Sequence, residues 1–176
     1  YKNKKIAETR ILKALKQNNI ELICLAGFMK ILSKRIIKKY KIKKKVIKYP
    51  NIKDAEKNIL NELKRNKIDL VCLAGYMRIL SKNFIKRFKG KIINIHPSLL
   101  PKYKGLNTHQ RVLNNNEKFS GCTIHYVNSK LDSGKIILQK KVKILKNDTI
   151  NKLSKRILKQ EHLLYPKALN KIFANR

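Results

Sequence analysis

An amide and an imidazole, Asn94 and His96, lie two residues apart at the end of a short apolar run that Pro97 follows at once. The β-branched residues of this run predict a buried strand, and the proline keeps His96 in extended backbone. Because strand side chains alternate, both groups project from one face at the carboxyl end of the strand. That end of an open α/β sheet borders the ligand crevice. The two groups together are suited to polarising a carbonyl and moving a proton.

The residues around this pair resemble a known family. The pattern NxHxSLLP at 94–101 is followed by GLxTH at 105–109, by HYV at 125–127 and by LDSG at 131–134. From about residue 71 to the end, this order and spacing resemble glycinamide ribonucleotide formyltransferase. NxHxSLLP alone is shared by the wider folate-dependent formyltransferase family, including methionyl-tRNA formyltransferase and formyltetrahydrofolate deformylase. GLxTH favours the member of purine biosynthesis.

The resemblance implies transfer of a formyl group from 10-formyltetrahydrofolate, a co-substrate, to the amine of glycinamide ribonucleotide. This reaction develops negative charge in a tetrahedral intermediate, so it calls for hydrogen-bond donors and a proton carrier. Asn94 is then the amide donor and His96 the general acid, while Asp132 holds the imidazole charged and oriented. Taken singly, Asn94 indicates a strand-end cap, His96 a polar residue whose hydrogen bonds are satisfied, and Asp132 an aspartate in a turn. His125, in a predicted strand, is expected to be a core residue or a support for the catalytic groups.

The resemblance also assigns two binding regions. The folate is expected at Met77, Arg78, Ile79, Leu80 and Asn94, and in the loop Asn128, Ser129, Lys130, Leu131 and Asp132. The ribonucleotide is expected at Lys159, Gln160 and Glu161. Without the resemblance, an apolar patch such as Met77–Leu80 indicates core, and Glu161 indicates a solvated helix face.

Two departures from the family pattern bear on these expectations. Ser133 stands where the family commonly has glycine, which is expected to constrain that loop slightly. The family's opening strand and its GSN phosphate loop, which binds phosphate at a helix start, have no counterpart in the sequence. The chain is therefore expected to be truncated at its amino end, with ribonucleotide binding impaired.

Helical periodicity alternates with short apolar runs along residues 49–176. This alternation predicts one α/β domain with a doubly wound, mostly parallel, Rossmann-type sheet that lacks the family's usual first strand. Strands are predicted at 68–74, 92–96, 122–127 and 136–142, the last antiparallel to its neighbour, and helices near 80–88 and 108–114. Asp148 is expected to cap a final helix with Ile150, Leu153, Ile157 and Leu158 as its core stripe, and Pro166 to kink or restart it.

The amino-terminal part is a duplication. Residues 1–40 repeat residues 49–88 at a constant offset of 48, with 23 of 40 positions identical, and a predicted strand at 41–48 joins the copies. The domain prediction is thus a duplicated unit at 1–48 and a family-like core at 49–176. Only the second copy has a short connection to the strand at 92–96. We therefore expect strand 68–74 beside it, with 20–26 displaced towards the sheet edge.

The formal net charge of +34 raises a non-enzymatic, nucleic-acid-associating protein as a rival function. The lysines are spread over nearly every predicted helix, and no RNA-binding or helix-turn-helix signature accompanies them. A second enzymatic alternative is hydrolysis of formyltetrahydrofolate, against which GLxTH argues. We expect a cytoplasmic protein, monomeric or weakly dimeric, that binds small molecules and no membrane, specific nucleic acid or metal. The three cysteines are expected to be reduced core residues.

Overall fold

The computed structural model describes residues 24–26, 51–74, 76 and 78–174, with backbone alone at 24–26, 52 and 53. The elements of this part are, in chain order, β1 (Cys24–Ala26), α1 (Ile52–Arg65), β2 (Leu70–Ala74), α2 (Lys82–Arg87), β3 (Lys91–His96), α3 (Thr108–Asn114), β4 (Phe119–Tyr126), β5 (Ile136–Lys143) and α4 (Ile150–Phe173). Helices and strands therefore alternate as far as β3, as the apolar periodicity predicts.

The strands form one sheet in the order β1-β2-β3-β4-β5. β1, β2 and β3 run parallel, whereas β4 and β5 are each antiparallel to the preceding strand. This confirms the single-domain, Rossmann-type α/β prediction and the antiparallel last strand. Because β5 is antiparallel to β4, it runs in the same direction as β1, β2 and β3, so the sheet is mostly parallel, as predicted, and β4 alone of the described strands runs the other way. β4 begins at the end where β3 finishes, so the intervening segment need not cross the sheet.

Two hydrophobic clusters cover the sheet. One joins β2, β3 and β4 to α4, with Ile93, Ile124 and Leu153 fully buried. The other joins the opposite side of β2 and β3 to α1 and α2 through Leu63, Phe84 and other residues. Apolar surface on both faces is what a doubly wound sheet requires, and it makes the parallel strands β2 and β3 nearly continuous apolar runs.

The strand of the second copy takes the place beside β3, as expected. β2 lies between β1 and β3, with Leu25 opposite Cys72 and Cys72 opposite Ile93. The backbone of 24–26 is thus at the outer side of β2. The rest of the first copy and the predicted strand at 41–48 lie outside the described residues, so the division into 1–48 and 49–176 stays a prediction.

The final helix corrects three expectations. Thr149 is its N-cap, because Asp148 is already engaged by the Leu145 N–H and by Arg156. The side chains of Ile150 and Leu158 are 42% and 44% exposed, so the buried stripe contains only Leu153 and Ile157 of the four predicted residues. Leu158 lies about 100° around the helix from Ile157, which turns it away from the sheet.

Pro166 neither ends nor restarts this helix, which runs unbroken from Ile150 to Phe173. Proline in a helix interior removes a hydrogen bond and is costly. Here Pro166 is itself buried, and Tyr165 and Leu169 on either side pack into the core. Tertiary packing therefore overrides the local preference.

Two thiols are buried in the sheet. Within the described part, neither Cys72 nor Cys122 forms a disulfide, and burial raises the pKa of Cys122 to about 12. Within the described ranges, none of the helices has the length and apolar character needed to cross a bilayer.

One buried polar contact joins α1 to the segment that follows β2. Glu56 is 8% exposed, and its carboxylate accepts hydrogen bonds from the Ser81 N–H, at 2.7 Å, and from the Ser81 hydroxyl. The Ser81 oxygen in turn accepts from the Phe84 N–H at 3.0 Å, which caps α2. The contact thus fixes the chain immediately after Ile79 and Leu80.

Replacing Glu56 with Ala is expected to destabilise the protein by about 1–3 kcal/mol, because it leaves the buried Ser81 N–H without its acceptor. Urea denaturation followed by circular dichroism measures the change. Glu62→Ala on the same helix is the control, since it removes a carboxylate paired with the exposed Arg65 at 3.0 Å. Such a surface pair contributes about 0–1 kcal/mol. Equal losses in the two variants would contradict the importance of the Glu56 contact.

Candidate active site

The antiparallel register of β3 and β4 assembles the centre of the site. Asn94 on β3 is opposite His125 on β4, and His96 is opposite Thr123. The amide Nδ2 of Asn94 lies 3.5 Å from His125 Nε2. Asp132 reaches the same group from the loop that follows β4. The structure therefore brings together the three residues predicted to be catalytic and adds His125 to them.

His96 is held at both ring nitrogens. Its Nε2 lies 2.8 Å from the carbonyl oxygen of Tyr103, and because a carbonyl only accepts, Nε2 donates. Its Nδ1 lies 3.3 Å from Asp132 Oδ2, and the side chains of the pair are 7% and 9% exposed. A ring that also carries a proton on Nδ1 donates at both ends. This arrangement can hold or release one proton next to a fixed acceptor.

His125 is placed to orient Asn94. Its Nδ1 donates to the Tyr126 carbonyl at 2.8 Å. Burial lowers the pKa of His125 and outweighs the opposing effects of that carbonyl and of Asp132. In the neutral ring, Nε2 is then an acceptor for the Asn94 amide, which fixes one of the two orientations of that amide. His125 is thus a support for Asn94, one of the two roles that the sequence leaves open.

Asp132 is a nearly buried carboxylate with three neighbours. Oδ2 accepts from the Gly105 N–H at 2.9 Å and faces His96, while Oδ1 lies 3.6 Å from His125 Nε2. Its backbone has φ of 43°, a left-handed conformation that aspartate tolerates better than most residues. A Cβ on Gly134 would lie 1.6 Å from the Tyr126 oxygen, so the loop requires glycine there to return against β4.

The loop after β3 is anchored through Thr123. The Thr123 hydroxyl donates to the Ser98 carbonyl at 2.7 Å and accepts from the Leu100 N–H at 3.1 Å. Gln139 on β5 donates to both Thr123 Oγ1, at 2.9 Å, and the Leu100 carbonyl, at 2.7 Å. These buried contacts satisfy the loop's main chain and fix its path over the end of the sheet.

The residues expected to bind folate are divided between core and surface. Leu80 is buried in the cluster with Leu63 and Phe84, whereas Ile79 is 67% exposed after the carboxyl end of β2. In the second segment Leu131 is 47% exposed, and Asn128 accepts from the Lys130 N–H at 2.9 Å in a local turn. Met77 lies outside the described residues, and exposed positions also include Arg78, Asn128, Ser129 and Lys130.

The residues expected to bind the ribonucleotide lie in the middle of α4. Lys159 is exposed, whereas Gln160 and Glu161 are partly buried. Burial raises the pKa of Glu161 to about 7, and the Glu161 carboxylate in turn contributes to the raised pKa of Cys122 on β4. Glu161 therefore faces the sheet, although its sequence pattern alone indicates a position on the solvated side of the helix.

His109 adds a further imidazole near the centre. Burial and the neighbouring His96 lower its pKa, and its Nδ1 is buried without a hydrogen-bond partner in the described residues. In that same part of the chain, no set of three or more His, Cys, Asp or Glu side chains is arranged to hold a metal ion.

Sequence reasoning missed the main-chain groups of the site. The Tyr103 carbonyl and the Gly105 N–H contact His96 and Asp132 directly. Any residue type supplies such groups, so composition carries no signal for them. The left-handed φ of 80° at Gly105 is the one local requirement that a glycine in the sequence could have indicated.

The fold is similar to that of solved phosphoribosylglycinamide formyltransferases. The family model described as formyl transferase matches residues 42–169, and the chain belongs to that family.

Two named relatives and one solved structure illustrate the similarity. The chain is 47% identical over 169 residues, 96% of its length, to the trifunctional purine biosynthetic protein adenosine-3 of Chironomus tentans, of which it spans 9%. It is 51% identical over 77 residues to phosphoribosylglycinamide formyltransferase of Haemophilus influenzae, with 44% of this chain and 36% of that protein covered. The crystal structure of phosphoribosylglycinamide formyltransferase from Bacillus halodurans superposes with a TM-score of 0.79 at 32% identity, covering 95% of this chain and 89% of that one.

The raised pKa of Glu161 predicts a specific pH dependence of stability. Between the reference value of 4.5 and about 7, the unfolded chain has released a proton that the folded chain retains. Stability is therefore lost as the pH rises through this window. Glu161→Gln removes the loss, so it should stabilise the protein at pH 8, by about 3 kcal/mol at most, and change little at pH 4.

Urea titrations at the two pH values measure this effect. Glu117→Gln is the control of opposite sign, because hydrogen bonds from Lys102 and Tyr103 lower the pKa of Glu117. Its stabilising contribution is present at high pH and lost in acid, so its removal should destabilise the protein at pH 8. Destabilisation by Glu161→Gln at pH 8 would contradict the assignment of Glu161 as a carboxyl group that is costly to ionise.

Proposed function

We propose that this protein transfers a formyl group from 10-formyltetrahydrofolate to the amine of glycinamide ribonucleotide. The observation that carries the proposal is the His96–Asp132 pair, 3.3 Å apart and nearly buried, beside Asn94 at the carboxyl end of β3. Membership of the formyl transferase family and the names of the relatives support the same substrates. The chain spans only a small part of the trifunctional relatives, so the proposal concerns this one reaction.

Each catalytic residue has a role that follows from its contacts. Asn94 donates its amide to the formyl oxygen as negative charge develops there, with His125 keeping the amide in one orientation. His96 carries a proton between the attacking amine and the departing nitrogen. Asp132 stabilises the charged imidazole and fixes the direction of Nδ1. Asn94 and His96 lie on β3, and Asp132 is held by its contacts with His96 and the Gly105 N–H.

The residues present fit the folate co-substrate, which supplies a formyl group on a nitrogen leaving group. Ile79, after the carboxyl end of β2, and Leu131, beside Asp132, offer exposed apolar side chains. Buried Leu80 anchors the segment that carries Ile79. We assign folate binding to Met77, Arg78, Ile79, Leu80, Asn94 and residues 128–132.

The ribonucleotide is assigned to Lys159, Gln160 and Glu161. Glu161, with a pKa of about 7, is largely ionised at pH 8, where its carboxylate accepts hydrogen bonds from hydroxyl or ammonium groups. A net charge of +34 attracts a phosphorylated substrate over a long range without providing a specific contact. We also propose that the enzyme is cytoplasmic, is monomeric or weakly dimeric, and has no specific nucleic-acid partner.

The full chain, given both substrates, is expected to form the N-formyl product, detected by mass spectrometry. His96→Ala should lower kcat by about 100-fold or more, because it removes the proton carrier. Asp132→Asn should also lower kcat, since the amide no longer stabilises a charged ring. Asp148→Asn is the matched control: its carboxylate is bound by Arg156 on α4, away from this group, so stability should fall while kcat of the folded protein is kept.

Three results would overturn the proposal. Near-wild-type transfer by His96→Ala would remove the assignment of the catalytic group. Release of formate at the same rate with and without glycinamide ribonucleotide would indicate hydrolysis of the folate, the second enzymatic alternative. Binding of polyanions that persists at high salt, with neither reaction, would indicate the non-enzymatic alternative.

A further inference from the structure

Three successive residues, 103–105, each contact one partner in or beside the catalytic group. The Tyr103 carbonyl accepts from His96 Nε2 at 2.8 Å, and the Gly105 N–H donates to Asp132 Oδ2 at 2.9 Å. Between them, the Lys104 ammonium donates to the Ser133 hydroxyl at 2.7 Å. This three-residue segment therefore bridges the strand that carries His96 and the loop that carries Asp132.

The segment is itself fixed from the α3 side. The Tyr103 hydroxyl donates to Glu117 at 2.9 Å and accepts from Asn115 at 3.0 Å. Arg111 donates to the Lys104 carbonyl at 2.7 Å, and its guanidinium lies 5.3 Å from the centre of the Tyr103 ring. Because these contacts fix residues 103–105, this segment can in turn fix the positions of the groups that it contacts.

Ser133 connects the loop that carries Asp132 to residues 103–105. Its hydroxyl accepts from Lys104 and donates to the Leu131 carbonyl at 2.7 Å. Residues 128–131 are exposed, so few other contacts limit the movement of this loop. Ser133 is not one of the described residues with a positive φ. Its side chain is therefore accommodated without the backbone strain expected of a serine in the place of the family's glycine.

We propose that Lys104 and Ser133 form a positioning pair for the reaction proposed above. Their hydrogen bond sets the separation between residues 103–105 and the loop at 128–134. It thereby keeps Asp132 within reach of both His96 and the Gly105 N–H. Neither side chain touches the reacting atoms. The kinetic part of this inference rests on the proposed function, whereas the structural part does not.

The test uses Ser133→Ala, Lys104→Met and the double variant. Because small misplacements of catalytic groups are costly, each single variant should lower kcat by about 5–20-fold, with KM for the ribonucleotide nearly unchanged. Since both substitutions break one interaction, the double variant should be no worse than the more impaired single variant. Ser133→Thr keeps a hydroxyl and should retain most of kcat. Lys146→Met, which removes an exposed lysine elsewhere, should leave kcat unchanged.

A second measurement does not require turnover. Hydrogen exchange of the Gly105 amide, followed by NMR, should accelerate by about 10-fold in both single variants, since the amide is protected through Asp132. Lys146→Met should leave that exchange unchanged.

The outcomes separate the two proposals. Unchanged Gly105 exchange, or strictly additive losses of kcat, would overturn the positioning pair. Accelerated exchange together with no formyl transfer by the wild-type chain would overturn the proposed function while leaving the structural role of the pair in place.

Discussion

A buried carboxylate imposes the strictest requirement on this structure. Asp132 is 9% exposed at its side chain, and an ionised group removed from water must be compensated by donors or opposite charge. The compensation comes from two separate parts of the chain: the His96 ring on β3 and the Gly105 N–H in the loop between β3 and β4. These groups must be correctly positioned for the buried carboxylate to be stable. The site therefore depends on correct folding of the whole carboxyl-terminal half of the chain.

The pairing of β3 with β4 is the means by which that requirement is met. A shift of one residue would turn Asn94 and His96 to the opposite face of the sheet. Gly121 and Thr123 oppose such a shift. A Cβ on Gly121 would lie 2.7 Å from Leu99 Cδ2, in the loop after β3, and the Thr123 hydroxyl has partners in both that loop and β5. Packing and hydrogen bonding thus select one register, and the geometry of the catalytic group is a consequence of it.

The sequence predicts those features that depend on local pattern. The strand ending at His96 and the helix Thr108–Asn114 follow from alternation and from proline, whereas the meeting of Asp132 with Asn94 and His96 follows from the resemblance to the family. It does not predict features that depend on competition for a partner. Asp148 is a good N-cap by type, yet Arg156 engages it and Thr149 takes the cap.

The position of β5 has a consequence for the behaviour of the protein in concentrated solution. Among the described strands β5 lies at an edge of the sheet, where unpaired main-chain groups invite another molecule to add a strand. Lys140, Lys141 and Lys143 are exposed along this edge. Two copies pairing there would bring these ammonium groups together, and the repulsion opposes self-association until salt screens it. Lys140, Lys141 and Lys143 therefore act against aggregation at this edge of the sheet.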